Sequence, residues 1–492
     1  MTMTGGFEGR FLLLMLLGLL TAACAPAPIA SVPPEERAAI EARLMRDIST
    51  LASDEFEGRK PGTDGETMTI DYIISEMQAA GLRSGTNDPG SAWRAPVELI
   101  GLRLDGGTVS FTRGRQTIEL PETDAVVFTN RRRNLISDAE AVFVGYMGDE
   151  VPAEAVTGKV VVMLADAGQS PERRAALFEK SPAAILTVVD TPQTIARFAS
   201  AIGRERIGLA GVEAQFSEGY VTEPAMVEAL GREQWLSLRE SADGEGFEPI
   251  VLEESVSIDA TAFRREFTSY NVIGLIPGEV RGAGAVLLMA HWDHLGVCAP
   301  DGPDRICNGA VDNASGVAAI LELSRRLKAN GPHDRDIYVL ATSAEELGLF
   351  GAQAFAEQPP VPLDGFVAAF NFDSVAIAPA GSPVGFIGEG LTPLDDIIRA
   401  TVEDAGRQLG NRQYANSFLQ RHDGWVLLES GVPAVLLSSA FASEITFGPY
   451  LATDYHSPSD EAEGLELGGA VDDLLLHEEL IKRIASTADY TP

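Results

Sequence analysis

The feature that most constrains the fold of this chain is an alternation of strand-like and helix-like segments after Thr268. Short apolar runs typical of buried strands are separated by loops and by segments whose apolar residues recur at helical spacing. The predicted strands are 286–289, 336–342, 366–372 and 434–438, and the predicted helices are 313–328 and 347–356. Strands that alternate with helices favour a parallel or mixed sheet covered on both faces. We therefore predict an α/β fold for this part of the chain.

Other regions precede this alternation, since a length of 492 residues favours two or three folding units. From Glu35 to about Ala80, two helical patterns flank a Gly-rich connection. From 120 to 254, short β-like runs alternate with turns and a few short helical patterns, and none of the histidine and acidic clusters described below lies there. We predict a β-rich insert at 120–254 between the two parts of one domain, 37–119 and 255–492.

The N-terminus has the pattern of a secretory signal. The apolar run Phe11–Leu20 is too short to span a bilayer but suits the apolar region of a signal peptide. Small residues before Cys24 resemble the bacterial lipobox, in which the cysteine is lipidated and becomes the first mature residue. We predict a lipoprotein signal peptide at 1–23 and a Pro-rich tether at 24–36, which would anchor the protein to a membrane. Ala25 favours the periplasmic side of the outer membrane; a soluble periplasmic or secreted protein is the alternative.

The charge balance excludes several classes of protein. Acidic residues outnumber basic ones 72 to 37, which gives a net charge of −35. Such a surface repels phosphate backbones, so we expect no nucleic-acid partner. The only run apolar enough for a membrane is the N-terminal one, and 3 cysteines cannot form a disulfide framework. Multi-span membrane proteins and cysteine-stapled scaffolds are therefore excluded, whereas the oligomeric state is not determined.

Histidines and acidic residues form five compact clusters, most of them next to a predicted strand or helix end. They are His291-Trp292-Asp293-His294, Asp312-Asn313, Glu345-Glu346, Asp373 and Tyr455–Asp460. In open α/β sheets ligands bind beyond the carboxyl ends of the strands, so these side chains can converge on one edge. Two histidines and three carboxylates without cysteine suit divalent ions of the zinc, manganese or cobalt type. One bridging carboxylate would then hold two ions about 3.5–4 Å apart.

Each cluster also has a purely structural interpretation. Asp312 suits a helix N-cap, the Glu345-Glu346 pair suits the first turn of a helix, and the 455–460 segment suits an ordinary turn. These alternatives would have to explain five coincidences on one predicted sheet edge, and this favours a metal site. One glutamate of the pair would then be free to act as a general base.

Five motifs resemble, in order and spacing, the co-catalytic di-zinc exopeptidases. That family includes bacterial leucyl aminopeptidases and aminopeptidases S and Y, with glutamate carboxypeptidase and the transferrin receptor as relatives. The motifs are AHWDHLG (290–296), GAVDNASG (309–316), SAEELGLFGA (343–352), NFDS (371–374) and YHSPSD (455–460). The segments LASDEFEGRKPGTDGE (51–66) and SYNVIGLIPG (269–278) also resemble the family. The resemblance covers most of the chain from about Leu44 onward.

The resemblance implies two divalent metal ions, expected to be Zn²⁺, and it assigns their ligands. His291 and Asp373 would bind one ion, Glu346 and His456 the other, and Asp312 would bridge both.

It also implies the catalytic groups. Glu345 would be the general base for a water activated by the two metals, and Asp293 would orient His291. The family further leads us to expect a cis peptide between Asp312 and Asn313.

The fold implied by the resemblance is a three-layer sandwich around a central mixed, mostly parallel sheet. The insert at 120–254 would be a protease-associated domain that acts as a lid or shapes substrate access, with a stability module as the alternative. Where relatives carry Ser-Asp-His, this chain has His422-Asp423-Gly424, so its specificity is open. In an oxidising periplasm we expect Cys298 and Cys307 to form a disulfide that braces their loop.

The predicted function is that of an exported zinc-dependent aminopeptidase that removes N-terminal residues from peptides. One alternative is an exopeptidase like glutamate carboxypeptidase, which needs basic residues to hold a terminal carboxylate. Another is a non-catalytic binding protein of the transferrin-receptor type, although the retained ligand set and Glu345 argue against it. A serine hydrolase is unsupported, because no GxSxG motif is present.

Overall fold

The computed structural model describes residues 32–492 except 167, 169 and 212–216. The predicted signal peptide, Cys24 and most of the predicted tether lie outside the described residues. The first helix begins at Pro34, so residues 34–36 of that tether are helical. Proline is favoured at a helix start, and Glu35 and Glu36 suit the positive end of the helix dipole. Among the described residues, no helix has the length and apolar character needed to cross a membrane.

The helices lie mainly before the first long strand, in the middle of the chain and near its end. They are α1 (Pro34–Leu51), α2 (Asp64–Ala79), α3 (Ala153–Val156), α4 (Ser170–Phe178), α5 (Pro192–Ile202), α6 (Glu223–Leu230), α7 (Arg232–Ala242), α8 (Gly316–Ala329), α9 (Phe350–Glu357), α10 (Asp395–Asp404), α11 (Arg412–Asn416), α12 (Gly424–Glu429), α13 (Glu444–Thr453) and α14 (Gly468–Ala485).

The strands range from two-residue bridges to one strand of 27 residues. They are β1 (Arg83–Ser84), β2 (Arg94–Arg113), β3 (Gln116–Glu119), β4 (Ala125–Thr129), β5 (Arg133–Gly145), β6 (Val160–Leu164), β7 (Ala184–Val189), β8 (Arg206–Leu209), β9 (Ser217–Thr222), β10 (Ile250–Ile276), β11 (Ala285–His291), β12 (Gly296–Val297), β13 (Ile306–Cys307), β14 (Asp336–Thr342), β15 (Phe366–Asn371), β16 (Gly385–Ile387) and β17 (Ala434–Ser438).

A single large mixed sheet runs through the described residues, in the order β16-β17-β15-β11-β14-β10-β5-β6-β7-β9-β4. In its first half, β17, β15, β11 and β14 are parallel, whereas β16 and β10 are antiparallel to their neighbours. Parallel strands need helical crossovers, which explains why helices alternate with strands after Thr268. The predicted α/β fold with a mixed, mostly parallel central sheet is confirmed for this half.

Helices cover both faces of this half of the sheet. Val286, Leu288 and Ala290 of β11 join a core with α1, α2, α8 and α14. The alternate residues Leu287 and Met289 join a second core with α9 and α12. Because successive strand side chains point to opposite faces, this alternation is what a three-layer sandwich requires.

The insert has its own hydrophobic core, which extends beyond the predicted limits of the insert. Val109 on β2 and Val256 and Ile258 on β10 belong to that core, although they lie outside the predicted limits of 120 and 254. The insert also contains helices α3–α7, and β5, β6, β7 and β9 are parallel. The long antiparallel strands β2 and β10 run from one core to the other, so no loop marks the boundary.

A disulfide braces the loop between β11 and the next site segment. Cys298 and Cys307 are joined, with their Cα atoms 5.8 Å apart. The loop packs against the N-terminal Gly-rich connection, where Gly58 has a φ of 64° and an added Cβ would lie 2.4 Å from the carbonyl oxygen of Cys307. A side chain at position 58 would therefore separate the two loops.

Candidate metal centre

The carboxyl ends of three adjacent parallel strands bring the first site residues together. His291 is the last residue of β11 and pairs in register with Thr342, the last residue of β14. Glu345 and Glu346 follow three and four positions later, and Asp373 follows two positions after the end of β15. Ligand sites in open α/β sheets form at this edge, as the sequence predicts.

Asp312 lies between two histidines. Its Oδ1 is 3.2 Å from Nε2 of His291, and its Oδ2 is 3.4 Å from Nε2 of His456. The residue is buried, and the peptide bond to Asn313 is cis, as the resemblance leads us to expect. The two oxygens of one carboxylate therefore face two different sets of neighbours.

Those neighbours form two groups that could each hold a cation. Within each group, the possible ligand atoms lie within 4.8 Å of one another. One group is His291, Asp312 and Asp373, and the other is His294, Asp312 and Glu346. His456 adjoins the second group, because its Nε2 is 2.9 Å from Oε2 of Glu346. The structure thus brings together all five residues predicted as metal ligands.

His294 is the residue of this site that sequence reasoning left without a role. Its Nδ1 lies 2.6 Å from Oε1 of Glu346, and its Nε2 is buried without a hydrogen-bond partner among the described residues. The signal was present in the sequence as the second histidine of the HWDH motif. Its ring fixes one oxygen of Glu346 while His456 approaches the other.

Asp293 holds the loop that carries the two glutamates. Its Oδ1 accepts a hydrogen bond of 3.0 Å from the backbone N–H of Glu345, and its Oδ2 one of 3.4 Å from that of Glu346. Oδ1 is 3.8 Å from Nδ1 of His291, whose closer neighbour is the backbone oxygen of Asp293 at 3.2 Å. Asp293 thus touches both His291 and the Glu345 loop, and burial raises its pKa to about 8.

Glu345 is partly exposed to a cavity and contributes to neither cation group. Desolvation raises its pKa well above the usual range, against the attraction of His291 and with the help of nearby carboxylates such as Asp423. A carboxyl group with a raised pKa beside a ligand cluster is suited to proton transfer.

The predicted metal ligands include no lysine or arginine, so the histidines are the only groups among them that can carry positive charge. Burial opposes ionisation of Asp312, but hydrogen bonds with His291 and His456 outweigh it and hold the Asp312 pKa well below its usual range. Burial likewise lowers the pKa of His456, but its hydrogen bonds to Asp312 and Glu346 raise it to about 9. The carboxylates therefore stabilise positive charge on the His456 ring. A divalent cation with neutral imidazoles would supply the same charge, so this donor set fits such an ion.

Two buried groups outside the predicted ligand set hold the loops of the site. The carboxylate of Asp460 accepts hydrogen bonds of 2.8 Å from the N–H of Val311 and 3.1 Å from that of Asp312. The guanidinium of Arg59 is buried and donates to four backbone oxygens, those of Leu51, Trp292, Asn308 and Gly309. Burial lowers the Arg59 pKa to about 10. These bonds join the N-terminal Gly-rich segment to the ligand loops.

A cavity opens beside Glu345, Asp312 and Asp373. Much of its wall is apolar and comes from Ile387, Phe418, Leu436, Phe441, Phe447 and Leu451. The cavity is therefore acidic at one end, beside Glu345, and apolar along much of its wall.

His422 and Asp423 lie at the segment where the sequence departs from the pattern expected from the resemblance. Nδ1 of His422 accepts a hydrogen bond of 3.1 Å from the N–H of Gly424 and lies 3.2 Å from Nδ2 of Asn371. Burial lowers the His422 pKa to about 4, so the ring is neutral at pH 7. Asp423 accepts a hydrogen bond from the hydroxyl of Thr342 at the end of β14. This pair thus forms part of the strand-end framework beside the cavity.

Comparison with known proteins identifies the class of this domain. Residues 271–472 match the model described as peptidase family M28. The match contains every predicted metal ligand, and it confirms the family resemblance found in the sequence.

The proteins that are similar to the chain include two curated proteins and one solved structure. Aminopeptidase YwaD of Bacillus subtilis (strain 168) is 33% identical over 111 residues, which is 22% of this chain and 22% of that protein. The probable lipoprotein aminopeptidase LpqL of Mycobacterium tuberculosis (strain ATCC 25618 / H37Rv) is 25% identical over 355 residues, covering 71% of this chain. The chain thus spans 22% and 61% of the lengths of these curated relatives.

The solved structure is that of an aminopeptidase from Aneurinibacillus sp. strain AM-1. It covers 91% of this chain and 94% of its own, with a TM-score of 0.53 and 17% identity. At this identity the likeness concerns the fold alone, and it confirms the predicted fold class.

Proposed function

We propose that this chain is an exported zinc-dependent aminopeptidase that removes N-terminal residues from peptides. The observation that carries the proposal is the position of Asp312, whose two oxygens face two separate donor groups. The M28 domain supports a peptidase, and the names of the two curated relatives support the aminopeptidase reading.

The residues divide into cation ligands and a base. His291 and Asp373 would bind one Zn²⁺, Glu346 and His456 the other, and Asp312 both. When bound, the two ions would polarise the scissile carbonyl and lower the pKa of a coordinated water towards about 7.

Glu345 would transfer the proton during the reaction. It would accept a proton from the attacking water and donate it to the leaving amine, because it lines the cavity and is free of both donor groups. A pKa raised well above the usual range by burial suits a carboxyl group that both accepts and donates a proton. Asp293 would keep Glu345 in place through the backbone hydrogen bond to its N–H.

The cavity favours cleavage at the N-terminus. Asp312, Glu345 and Asp373 line its acidic end and attract the positive charge of a peptide's free α-amine. The aromatic and aliphatic wall would accept the side chain of the first residue. We therefore expect peptides with large apolar N-terminal residues to be preferred.

A peptide pool tests this proposal. We expect purified protein lacking its first 24 residues to shorten free peptides stepwise from the N-terminus and to leave N-acetylated copies intact. A chelator should abolish the reaction and added Zn²⁺ restore it, with products followed by mass spectrometry. Trimming of acetylated peptides from the C-terminus would instead support the carboxypeptidase. Absence of cleavage with added Zn²⁺ would refute the hydrolase.

The location of the protein is proposed from its N-terminal sequence. Cys24 would carry a lipid that anchors the protein to the periplasmic side of the outer membrane, as its lipobox-like context indicates. LpqL is named as a probable lipoprotein, which agrees with this proposal. We expect a fatty-acid label to enter the full-length protein and to be absent from a Cys24→Ser variant. Equal labelling of the two proteins would exclude lipidation at Cys24.

We further propose that the insert is a protease-associated domain that shapes access to the cavity. Its continuity with the catalytic sheet through β2 and β10 supports a fixed position beside the peptidase domain. To test this role, we compare the intact protein with a variant in which the insert is cut out between β2 and β10. Both proteins are given short and long peptides, and the cleavage rates are measured. If the preference for peptide length is the same in both, the proposed role is contradicted.

A further inference from the structure

Arg421 is the one basic side chain, apart from the neutral ring of His422, among the described residues that line the cavity beside Glu345. It immediately precedes the His422-Asp423 pair, in the loop before α12, and it is exposed. An arginine at this position faces a ligand space whose other charged lining residues are acidic.

The guanidinium of Arg421 is held by aromatic rings. The guanidinium carbon Cζ lies 5.4 Å from the ring centroid of Phe418 and 5.9 Å from the ring centroid of Tyr455. Its sole polar side-chain contact within the described part of the chain is a long one, 3.4 Å from Nη2 to the hydroxyl oxygen of Tyr455. Stacking fixes the plane of a guanidinium and leaves its N–H donors at the edge.

The absence of a carboxylate partner is informative in so acidic a chain. With 72 acidic residues for 37 basic ones, many arginines here form ion pairs, as Arg407 does with Asp473. Arg421 forms none with any described residue, although Asp312, Glu345 and Asp373 line the same cavity. Its donors are therefore available to a ligand, and a planar fork of N–H groups matches a carboxylate.

The distance from Arg421 to the metal centre limits the size of that ligand. Tyr455 stacks on His456 with ring centroids 3.7 Å apart, and His456 contacts Glu346 and Asp312. The steps of 5.9 and 3.7 Å place the guanidinium within about 10 Å of the His456 ring. An extended peptide advances about 3.3–3.6 Å per residue, so at most about three residues are needed to cover this distance.

We propose that Arg421 binds a carboxylate of the substrate and makes the enzyme selective for short peptides that carry one. The carboxylate would come from the C-terminus of a dipeptide or tripeptide, or from an acidic side chain next to the scissile bond. This inference rests on the proposed aminopeptidase function. It names the class of peptide that the same site accepts.

Matched substrate pairs test the inference. Leu-Ala and Leu-Ala amide differ only in the terminal carboxylate, whereas Leu-Glu amide and Leu-Gln amide differ only in the side chain. Leu-Ala extended by six glycines moves the terminal carboxylate out of reach. The substrates are compared by kcat/KM for the wild type, for Arg421→Gln and for Arg115→Gln. Arg115 is a matched control, because it is exposed in the turn between β2 and β3 of the insert.

We expect the wild type and the Arg115→Gln protein to prefer the acid by about tenfold in one of the pairs, the typical size of a charge-assisted hydrogen bond. Arg421→Gln should remove that preference while changing cleavage of the amides by less than about threefold. Preference within the Leu-Ala pair, lost on extension, would assign the terminal carboxylate; preference within the other pair would assign the side chain.

Other outcomes overturn the inference. Equal rates for acid and amide in the wild type, a preference that survives Arg421→Gln, or an equal loss on both members of a pair would each show that Arg421 only supports the cavity wall. In all three cases the amides are still cleaved from the N-terminus, so the proposed function stands. Cleavage of none of the peptides would refute both.

Discussion

Replacing Glu345 by glutamine should lower kcat by about 10²–10⁴-fold, the range typical of a lost general base. Glutamine keeps the size of the side chain but cannot accept a proton from water at neutral pH. The KM should change less than kcat, because the apolar wall and the carboxylates of Asp312 and Asp373 at the acidic end are untouched. The cation content should also be retained, since Glu345 belongs to neither donor group. Steady-state kinetics and metal analysis of the same preparation check both expectations.

Two comparisons make the Glu345 result specific. Glu357→Gln, at the exposed end of α9, is a matched substitution that should leave kcat unchanged. Glu346→Gln should lower the cation content as well as the rate, because Glu346 contacts His294 and His456. If Glu345→Gln keeps more than a tenth of the wild-type kcat, another group serves as the base.

The short strands of the catalytic half were predictable from the sequence because each is a continuous apolar run between turns. The strands at 336–342 and 434–438 agree with β14 and β17 residue for residue. Such strands are buried on both faces, so apolar and polar residues need not alternate along them.

The long strands were not predictable in the same way. β10 passes from one core to the other, and its central residues Arg264, Arg265 and Glu266 are charged. That charged stretch resembles a domain boundary, although the backbone pairing with β2 continues through it. The chain therefore leaves the insert within one continuous strand, and the boundary predicted at 254 lies inside β10.

The site residues that could be predicted are those whose residue type and neighbouring sequence already indicate a ligand. His291, Glu345-Glu346 and Asp373 stand at strand ends, where residue type and position together indicate a ligand site. Arg59 and Asp460 were missed as supports because their partners are backbone groups of distant loops, such as Gly309 and Val311.

Other parts of the site depend on how loops fold back on one another. His294 lies in the HWDH motif, but its contact with Glu346 is a tertiary contact that the sequence does not reveal. Arg421 has no motif, and its place in the cavity depends on Phe418 and Tyr455. Sequence patterns indicate which residues can bind a cation, whereas the folded loops decide which groups support those residues and which face the substrate.

Asp312→Asn should weaken the binding of both proposed ions at once. An amide keeps the shape of the carboxylate but loses its charge and one of its two oxygens, so it cannot face both donor groups as a ligand. Zn²⁺ affinity should fall by more than about 100-fold, beyond the 10–100-fold typical of losing a group that only supports a ligand. Calorimetric titration of chelator-treated protein, with circular dichroism to verify folding, measures this effect independently of activity.

Single-group variants provide the decisive comparison for Asp312. His291→Ala removes a donor from one group and His456→Ala one beside the other, so each should leave about one strongly bound ion per chain. Asp312→Asn should leave none, because its oxygens approach both histidines. Retention of one tightly bound ion by Asp312→Asn would show that Asp312 serves a single site, and binding unchanged from wild type would remove it from the ligand set. The bridging role thus predicts a loss that neither histidine variant can produce alone.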